Sequence, residues 1–570
     1  MEDLEEAIAL QRAALVLLPE GHPDRSSSLG NLAELVYVRF EKEGRADDYD
    51  ESIASTSHTA LHSFSSFSSC LAAAYRWVTI AQSHEHSSLI EAYRTAMSLV
   101  QRALTIRPTL SEQHKFLCSD SRHQALPLDA VSHSIERGEL TQAIEFLEQG
   151  RSLLWSQMRG FRTPLEQLSG VDGALAESFE NCNRRLEALI TSSGAFRTQH
   201  LIDETLKQIR QLSEEQESLA NDIRRIPGFE TFLEASPFKT IQQAASEGPV
   251  IVLNHSKYRC DALIVLERED DPCVCIPLDK DFYADAVDLR EKLVQIRQTS
   301  GVGSSEYDEK LRRVMKTLWE RVVSKVVSRL KELGINSGSR IWWCPASVLS
   351  ALPFHAAGPY EGADGRARYL LDDYISSCTS TLTPLINART GAQNGGERML
   401  FVGDTKLPSA GKERDAINRI RRFKQLLGDR ATPEAVLELP QGAQWVHFAC
   451  HGYLAKEPFN FHFSSFQAAG SRYSASRVPI FQMRSSHFFQ LAIQSVVGTM
   501  WQLLDNDGPL LARTVYGRLM RDLEEGEIRF KRAAAAVRQA ALNLRENGDE
   551  DPDTGLIMTE RWVNLVHMGA

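Results

Sequence analysis

Trp445-Val-His-Phe-Ala-Cys-His-Gly452 is the stretch on which the reading of the fold turns. It opens as an apolar β-type run, becomes polar in its last residues and stops at a glycine. In open α/β sheets reactive groups gather at the carboxyl ends of strands, where the chain leaves the sheet and a side chain can face a crevice. His451 occupies such a place, and Gly452 lets the backbone turn sharply, which suits its N–H as one donor of an oxyanion hole. Side chains alternate along a strand, so His447, Ala449 and His451 share one face while Val446, Phe448 and Cys450 share the other.

Outward from this stretch the same texture continues. Val250-Ile-Val-Leu253, Ala262-Leu-Ile-Val-Leu266, Cys273-Val-Cys-Ile276, Ile341-Trp-Trp-Cys344, Met399-Leu-Phe-Val402 and Ser495-Val-Val-Gly-Thr-Met-Trp501 are further short apolar runs. They alternate with helical stretches, the pattern of a mainly parallel sheet covered by helices, and seven candidates suffice for two small sheets. Leu311, Val314, Leu318, Val322, Val326, Leu330 and Leu333 form a helical stripe that must pack on a sheet face. A Gly/Asn-rich break at Gly391-Ala-Gln-Asn-Gly-Gly396 divides this region into two α/β blocks, 226–390 and 391–570. Cys273 and Cys275 share one strand face and read as core thiols. His355, a loop histidine beside Pro353, reads as structural.

Before Pro227 the period is helical. Ala7, Ile8, Leu10, Ala14, Leu15 and Leu18 recur at helical spacing up to Pro19-Glu-Gly-His-Pro23, and a second such stretch runs from Leu29 to Phe40. The step Glu6-Ala-Ile8 returns as Glu51-Ser-Ile53, Glu91-Ala-Tyr93 and Gln142-Ala-Ile144, at offsets of 45, 40 and 51. Degenerate helix pairs of this length bury their faces by stacking into a solenoid whose concave surface takes a peptide or protein partner; a plain helical bundle is the alternative. Repeats are expected over 1–165. Leu186, Leu189, Ile190, Leu206, Ile209, Leu212 and Leu219 then predict a helical hairpin as a connector over 166–225.

Composition bounds the function. A chain of 570 residues is expected to form roughly three or four units. Its 75 acidic and 64 basic residues are scattered without a long basic run, so nucleic acid is not the expected partner. No apolar stretch approaches the roughly 18 to 20 residues that span a bilayer, and the acidic start Met1-Glu-Asp-Leu-Glu-Glu is unlike a basic signal peptide. A cytoplasmic place is the expectation. Nine cysteines without framework spacing read as reduced thiols, and no CxxC pair marks zinc. Ser256 and Lys257 lack a glycine-rich phosphate loop, so no nucleotide or other cofactor is expected. His447, His451 and His462 could be offered as metal ligands but have no matching carboxylate or cysteine cluster, and no metal is expected. The carboxylates of Asp505-Asn-Asp-Gly-Pro509 follow a strand and open a helix, which they are expected to cap; binding a basic substrate side chain is the other reading.

Gly248-Pro-Val-Ile-Val-Leu-Asn254, Arg259-Cys-Asp-Ala-Leu263, Ile341-Trp-Trp-Cys-Pro345, Leu352-Pro-Phe-His-Ala-Ala-Gly358, His447-Phe-Ala-Cys-His-Gly452, Ser495-Val-Val-Gly-Thr-Met-Trp501 and Arg561-Trp-Val-Asn564 stand in an order that resembles the CHAT domain. That family has a caspase-like fold related to caspases and separase and is often fused to tetratricopeptide repeats. Asp3-Leu-Glu-Glu-Ala-Ile8 and Gly21-His-Pro-Asp-Arg-Ser-Ser-Ser28 resemble fungal arrays of such repeats. The resemblance implies a cysteine endopeptidase fold in which 226–390 is an inactive caspase-like half and 391–570 carries a His/Cys dyad, with His451 as the catalytic histidine.

The dyad needs a thiolate nucleophile with a histidine beside it. In the family that cysteine lies between the histidine strand and the Val-Val-Gly-Thr strand, in a Ser-Ala-Cys motif. This chain has no such motif: Cys450 is its last cysteine. By alternation Cys450 faces away from His451, among apolar neighbours, and a bulge would be needed to turn it. Residues 461–490 show neither an apolar strand nor a clean helical stripe. Either the catalytic element is lost, or the coding sequence was joined wrongly. The expectation is therefore a CHAT-type protein, inactive as written, whose repeats bind a protein partner. Its alternatives are an active cysteine endopeptidase using Cys450 or an omitted segment, and a scaffold in which the α/β region only stabilises the repeats.

Overall fold

The computed structural model describes residues 2–18, 25–61, 67–105, 110–160, 168–192, 199–227, 229–230, 232, 236–300, 303–362, 365–390, 399–431, 445–449, 495–501, 503–521, 529–547 and 558–570. The chain forms two compact units, Met1–Ser236 and Pro237–Ala570. The described part of the first is all helical, and the second is a mixed sheet region covered by helices.

In the helical unit α1 (Glu2–Leu17), α2 (Arg25–Glu43), α3 (Ala46–Leu61), α4 (Phe67–Ser83), α5 (Leu89–Thr105), α6 (Leu110–Ser119), α7 (Ser121–Glu136) and α8 (Leu140–Gly160) pack largely on their sequence neighbours. The recurring step has a packing cause. Ile8, Ile53, Tyr93 and Ile144 are all buried, on α1, α3, α5 and α8, and the residues before the last three, Ser52, Ala92 and Ala143, are fully enclosed. A small side chain there lets the next helix approach closely. Gly150 serves the same end, since a Cβ on it would stand 2.1 Å from the Cβ of Pro127 on α7. The predicted hairpin is present as α9 (Gly173–Ser192) and α10 (Gln199–Arg224), which pack together; the side chains of Leu186, Leu189, Ile190, Leu206 and Ile209 lie outside the described residues, as does the turn Pro19–Pro23.

The sheet unit contains twelve described strands. They are β1 (Val250–His255), β2 (Cys260–Val265), β3 (Cys273–Pro277), β4 (Arg340–Pro345), β5 (Tyr360–Glu361), β6 (Ala367–Arg368), β7 (Ile375–Cys378), β8 (Met399–Gly403), β9 (Lys424–Leu427), β10 (Trp445–Ala449), β11 (Ser495–Thr499) and β12 (Leu565–Gly569). All seven expected runs are strands. The order β11-β12-β7-β4-β1-β2-β3 makes a seven-stranded sheet, β10-β8-β9 a three-stranded one, and β5 pairs with β6.

The expectation of a mainly parallel sheet needs correction. In the large sheet β12, β7, β4 and β1 run parallel, but β1 with β2, β2 with β3 and β11 with β12 are antiparallel. The reason is connection length: Ser256–Arg259 is too short for a helical crossover, so β2 must return beside β1. The three-stranded sheet is wholly parallel. β11 and β12, late in the chain, join the sheet that β1, β2, β3, β4 and β7 build; the break at Gly391–Gly396 lies outside the described residues.

Helices α11 (Phe282–Ser300), α12 (Ser305–Leu318), α13 (Ser324–Glu332), α14 (Leu382–Thr390), α15 (Pro408–Asn418), α16 (Asp507–Leu519), α17 (Ala533–Asn547) and α18 (Thr559–Val563) complete the unit. Ser304 caps α12, accepting from the backbone N–H of Tyr307, and a π-turn at Trp319–Val323 leads into α13. Along this run Leu311, Val314, Leu318, Val322, Val326 and Leu330 are all fully buried against Ile251, Leu253, Ile264, Ile341 and Trp343. The stripe seen in the sequence therefore does cover a sheet face. Trp342 and Trp343 alternate: Trp343 stacks on Phe354 in this core, and Trp342 belongs to the other face.

Candidate functional site at the carboxyl end of the histidine strand

β10 is at an edge of the three-stranded sheet, parallel to β8. The carboxyl ends of the two are tied together, since the N–H of Asp404 donates to the carbonyl of Ala449 at 2.9 Å. Asp404 is buried, and its carboxylate accepts from the N–H of Lys406, closing a turn. The described chain stops at Ala449 and resumes at Ser495, so Cys450, His451, Gly452 and His462, and all of 461–490, lie outside the described residues.

His447, two residues before the strand end, is fixed from three sides. Its ring stacks on Phe401 of β8 with centroids 5.2 Å apart and 14° between planes. Nε2 is 3.1 Å from Oε2 of Glu413 on α15, and Nδ1 is 3.1 Å from the hydroxyl of Tyr516 on α16. An ionised carboxylate can only accept, so Nε2 donates to Glu413, and Nδ1 shares a hydrogen bond with the Tyr516 hydroxyl. Burial raises the pKa of Tyr516, with Glu413 adding to it, which keeps that phenol a donor. Both imidazole nitrogens are committed. His447 thus anchors the strand rather than serving as a free base.

Asp505-Asn-Asp-Gly-Pro509 behaves differently from the expectation that its carboxylates cap their own helix. Asn506 is the residue before α16, and no side chain caps that helix. Asp505 instead accepts from the backbone N–H of Ser409 at 3.1 Å and from its hydroxyl at 2.6 Å, so it caps the start of α15. Asp507, 1% exposed, is held by the side-on edge of Arg561. Gly508 makes room for the histidine clamp, because a Cβ there would stand 2.0 Å from Oε1 of Glu413. Each residue answers to a distant partner, which local pattern could not reveal. Gly508→Ala is therefore expected to push Glu413 off His447 and lower stability by about 1–3 kcal/mol. Urea denaturation reads this, and adding Glu413→Ala should recover part of the loss; an unchanged midpoint in the single variant would sink the account.

Two other histidines invite comparison. His355 donates to the carbonyl of Val563 at 2.8 Å, and burial pushes its pKa down to about 4, so it is neutral and structural as expected. His567, on β12, was not singled out in the sequence. Its Nδ1 is 2.9 Å from the hydroxyl of Ser377 and its Nε2 is 2.8 Å from that of Ser495. Arg340 donates to Ser377 through both Nε and Nη2, at 3.3 and 3.1 Å. With both lone pairs so used, Ser377 gives its proton to Nδ1, and His567 donates from Nε2 to Ser495. Burial, with nearby Arg340, depresses this imidazole well below its ordinary pKa. The chain of bonds resembles a Ser/His pair but holds the wrong tautomer to deprotonate Ser495, and it closes the sheet interior. Beside it a cavity of about 30 Å³ lined by His355, Tyr374, Ser376, Cys378, Trp562 and His567 has room for little more than water.

The eight described cysteines are all free thiols. In the sheet unit Cys260, Cys273, Cys275 and Cys378 have pKa values pushed up to about 12, chiefly by burial. A thiol so placed carries almost no thiolate near neutrality and is a poor nucleophile. Cys273 is buried as expected, and Cys275 is partly covered with its Sγ 3.6 Å from Asp261 Oδ1. Among the described residues there is no group of three His, Cys, Asp or Glu that could hold a metal, and no helix long and apolar enough to cross a membrane.

Residues 312–493 match the family described as the CHAT domain. The matched stretch lies within the sheet unit and takes in α13, β4, β8 and β10, with His447 and Glu413 of the histidine clamp; Tyr516 lies beyond it. No curated protein matches the chain. Among solved structures, a chain of the Saccharomyces cerevisiae separase–securin complex aligns over 95% of this chain with 10% identity and a TM-score of 0.36. The alignment covers 52% of that chain, so this protein spans about half its length.

Proposed function

We propose that this is a CHAT-type protein whose peptidase half is catalytically dead as its sequence reads, and whose helical unit binds a protein partner. The observation that carries the reading is His447-Phe-Ala-Cys-His-Gly452 followed by no cysteine through Ala570. Cysteine peptidase chemistry needs a thiolate to attack the scissile carbonyl and an imidazole to take the thiol proton and return it to the leaving amine. In this reading His451 is that imidazole and Gly452 one oxyanion donor, left without a nucleophile. The raised pKa values of Cys260, Cys273, Cys275 and Cys378 support it, since none of these four thiols offers a ready nucleophile. The division into tetratricopeptide-like repeats over 1–165, a connector over 166–225 and two caspase-like halves meeting at 390 belongs to the same reading, as do a fungal type of array and a cytoplasmic place.

The test is incubation of the full chain with a peptide library and a thiol-reactive peptide probe. The expected result is neither cleavage nor labelling. Cleavage lost in His451→Ala, or labelling lost in Cys450→Ala, would establish an active dyad and sink the inactive reading. Sequencing the mature transcript between the codons for His451 and Ser495 bears on the same point: an added segment ending an apolar strand in cysteine would make the protein a peptidase. Deleting residues 1–165 is expected to abolish partner capture.

A further inference from the structure

Residues unused by the peptidase reading gather at the amino ends of β1 and β4. There three cations surround one carboxylate: Glu247 lies 2.8 Å from Nζ of Lys531, 3.7 Å from Nε of Arg389 and 4.0 Å from Nη1 of Arg340. The last two distances are too long for hydrogen bonds. The guanidinium groups of Arg340 and Arg389 lie over the ring of Trp342, 4.3 and 4.6 Å from its centroid. Burial lowers both arginine pKa values, Arg340 to about 10, with Glu247 opposing the shift. Glu267 also attracts Arg389 from farther away.

Arg389 is held rigidly by one edge and idle at the other. Its Nη1 donates to the carbonyl of Ala244 at 2.6 Å, the hydroxyl of Ser246 at 3.1 Å and the carbonyl of Gln243 at 3.4 Å. Nε and Nη2 are buried with no hydrogen-bond acceptor, on a side chain 8% exposed. These two nitrogens form the side-on fork that matches a pair of oxygens. Elsewhere the chain fills that fork with a carboxylate: Arg39 takes Asp48 at 2.7 and 2.6 Å, and Arg259 takes Asp261 at 2.7 Å through each nitrogen. In Arg389 the fork is oriented, buried and empty of acceptors.

We infer that the Arg389 fork, backed by Arg340 and Lys531, is a binding site for the oxyanion group of a ligand, a carboxylate or a phosphate, which enters by displacing Glu247. Glu247 and Lys531 are the more exposed members, at 25% and 36%, and form the entrance. The resident carboxylate then acts as a competitor: it moderates the charge when the site is free and yields to an anion that can reach both fork nitrogens.

The full chain titrated with inorganic phosphate, and separately with acetate, against sodium chloride at equal ionic strength provides the test, read by thermal shift. A saturable rise in Tm with phosphate alone assigns a phosphate group; a rise with both assigns a carboxylate-tolerant site. Glu247→Gln is expected to tighten binding roughly tenfold, because a like charge about 4 Å away is removed, and Arg389→Gln to abolish it. Lys531→Met, a partly exposed position where folding is not at stake, should weaken binding several-fold. A shift no larger than that of chloride, a titration unchanged in Arg389→Gln and Lys531→Met, or no tightening in Glu247→Gln would overturn the inference.

Discussion

Arg561→Ala is expected to destabilise the sheet unit by about 3–5 kcal/mol, the cost of stranding a buried charge whose partner is removed. Asp507 is 1% exposed, and Arg561 meets it through both Nε and Nη2. The loss spreads because Arg561-Trp-Val-Asn564 is a clasp. Asn564 accepts from the N–H of Trp501 through its side chain at 2.8 Å and from that of Met500 through its carbonyl at 2.9 Å, so it holds the chain just after β11. Arg561 holds the start of α16, which carries Tyr516 and with it His447. Hydrogen exchange in Arg561→Ala should show lost protection over 507–519, and urea denaturation the free-energy loss. Substituting Asp507 by Leu together with Arg561→Met should recover most of it, since replacing both charges removes the desolvation cost as well as the attraction. A single variant within about 1 kcal/mol of wild type, well under the buried-pair range, would refute the clasp.

Arg39→Ala is the matching experiment in the helical unit, with the same expected magnitude of about 3–5 kcal/mol. Arg39 and Asp48 have side chains 6% and 4% exposed, and Arg39 also reaches Glu5, so one guanidinium ties α1, α2 and α3. The effect carries a pH signature. The hydrogen bond from Arg39 lowers the Asp48 pKa in the folded state. The unfolded value is about 3.9, so the pair contributes fully above it and the contribution is lost as pH falls through the lower folded value. In Arg39→Ala the buried carboxyl has no partner and its pKa rises by burial. The variant should then regain stability as pH falls towards the unfolded value, where wild type is still unaffected. Chemical denaturation between pH 7 and 4 reads the difference, and a variant whose deficit is flat over that range would show that Asp48 is not the stranded group.

Local pattern made much of the architecture legible. Seven apolar runs became seven strands because each pairs in a sheet with part or all of its side chains covered, and the stripe from Leu311 to Leu330 is the buried face of α12 and α13. The strands that pattern missed are short or polar. β7 is Ile375-Ser-Ser-Cys378, and its Ser377 is tolerated inside because Arg340 and His567 satisfy its hydroxyl. β9 begins Lys424-Gln425 on an edge, and β12 owes its place to pairing with β11 and β7. The antiparallel pairs were partly readable, since Ser256–Arg259 is too short a link for a crossover.

The site was legible in its motif and silent in its geometry. That His447 anchors rather than reacts depends on Glu413 and Tyr516, 34 and 69 residues away. Gly508, a glycine early in a helix where the backbone conformation does not require one, signals a close approach but not that Glu413 makes it.

The sequence alone determined the helical unit, seven of the strands that follow it, and the missing thiol after His451, because periodicity and residue identity are local properties. Tertiary structure alone decided the strand order of the sheets, the roles of Asp505, Asp507 and Gly508, and the idle fork of Arg389. Each of these depends on which distant groups burial brings within hydrogen-bonding distance, and a buried charge or histidine takes its chemistry from those neighbours rather than from its place in the chain.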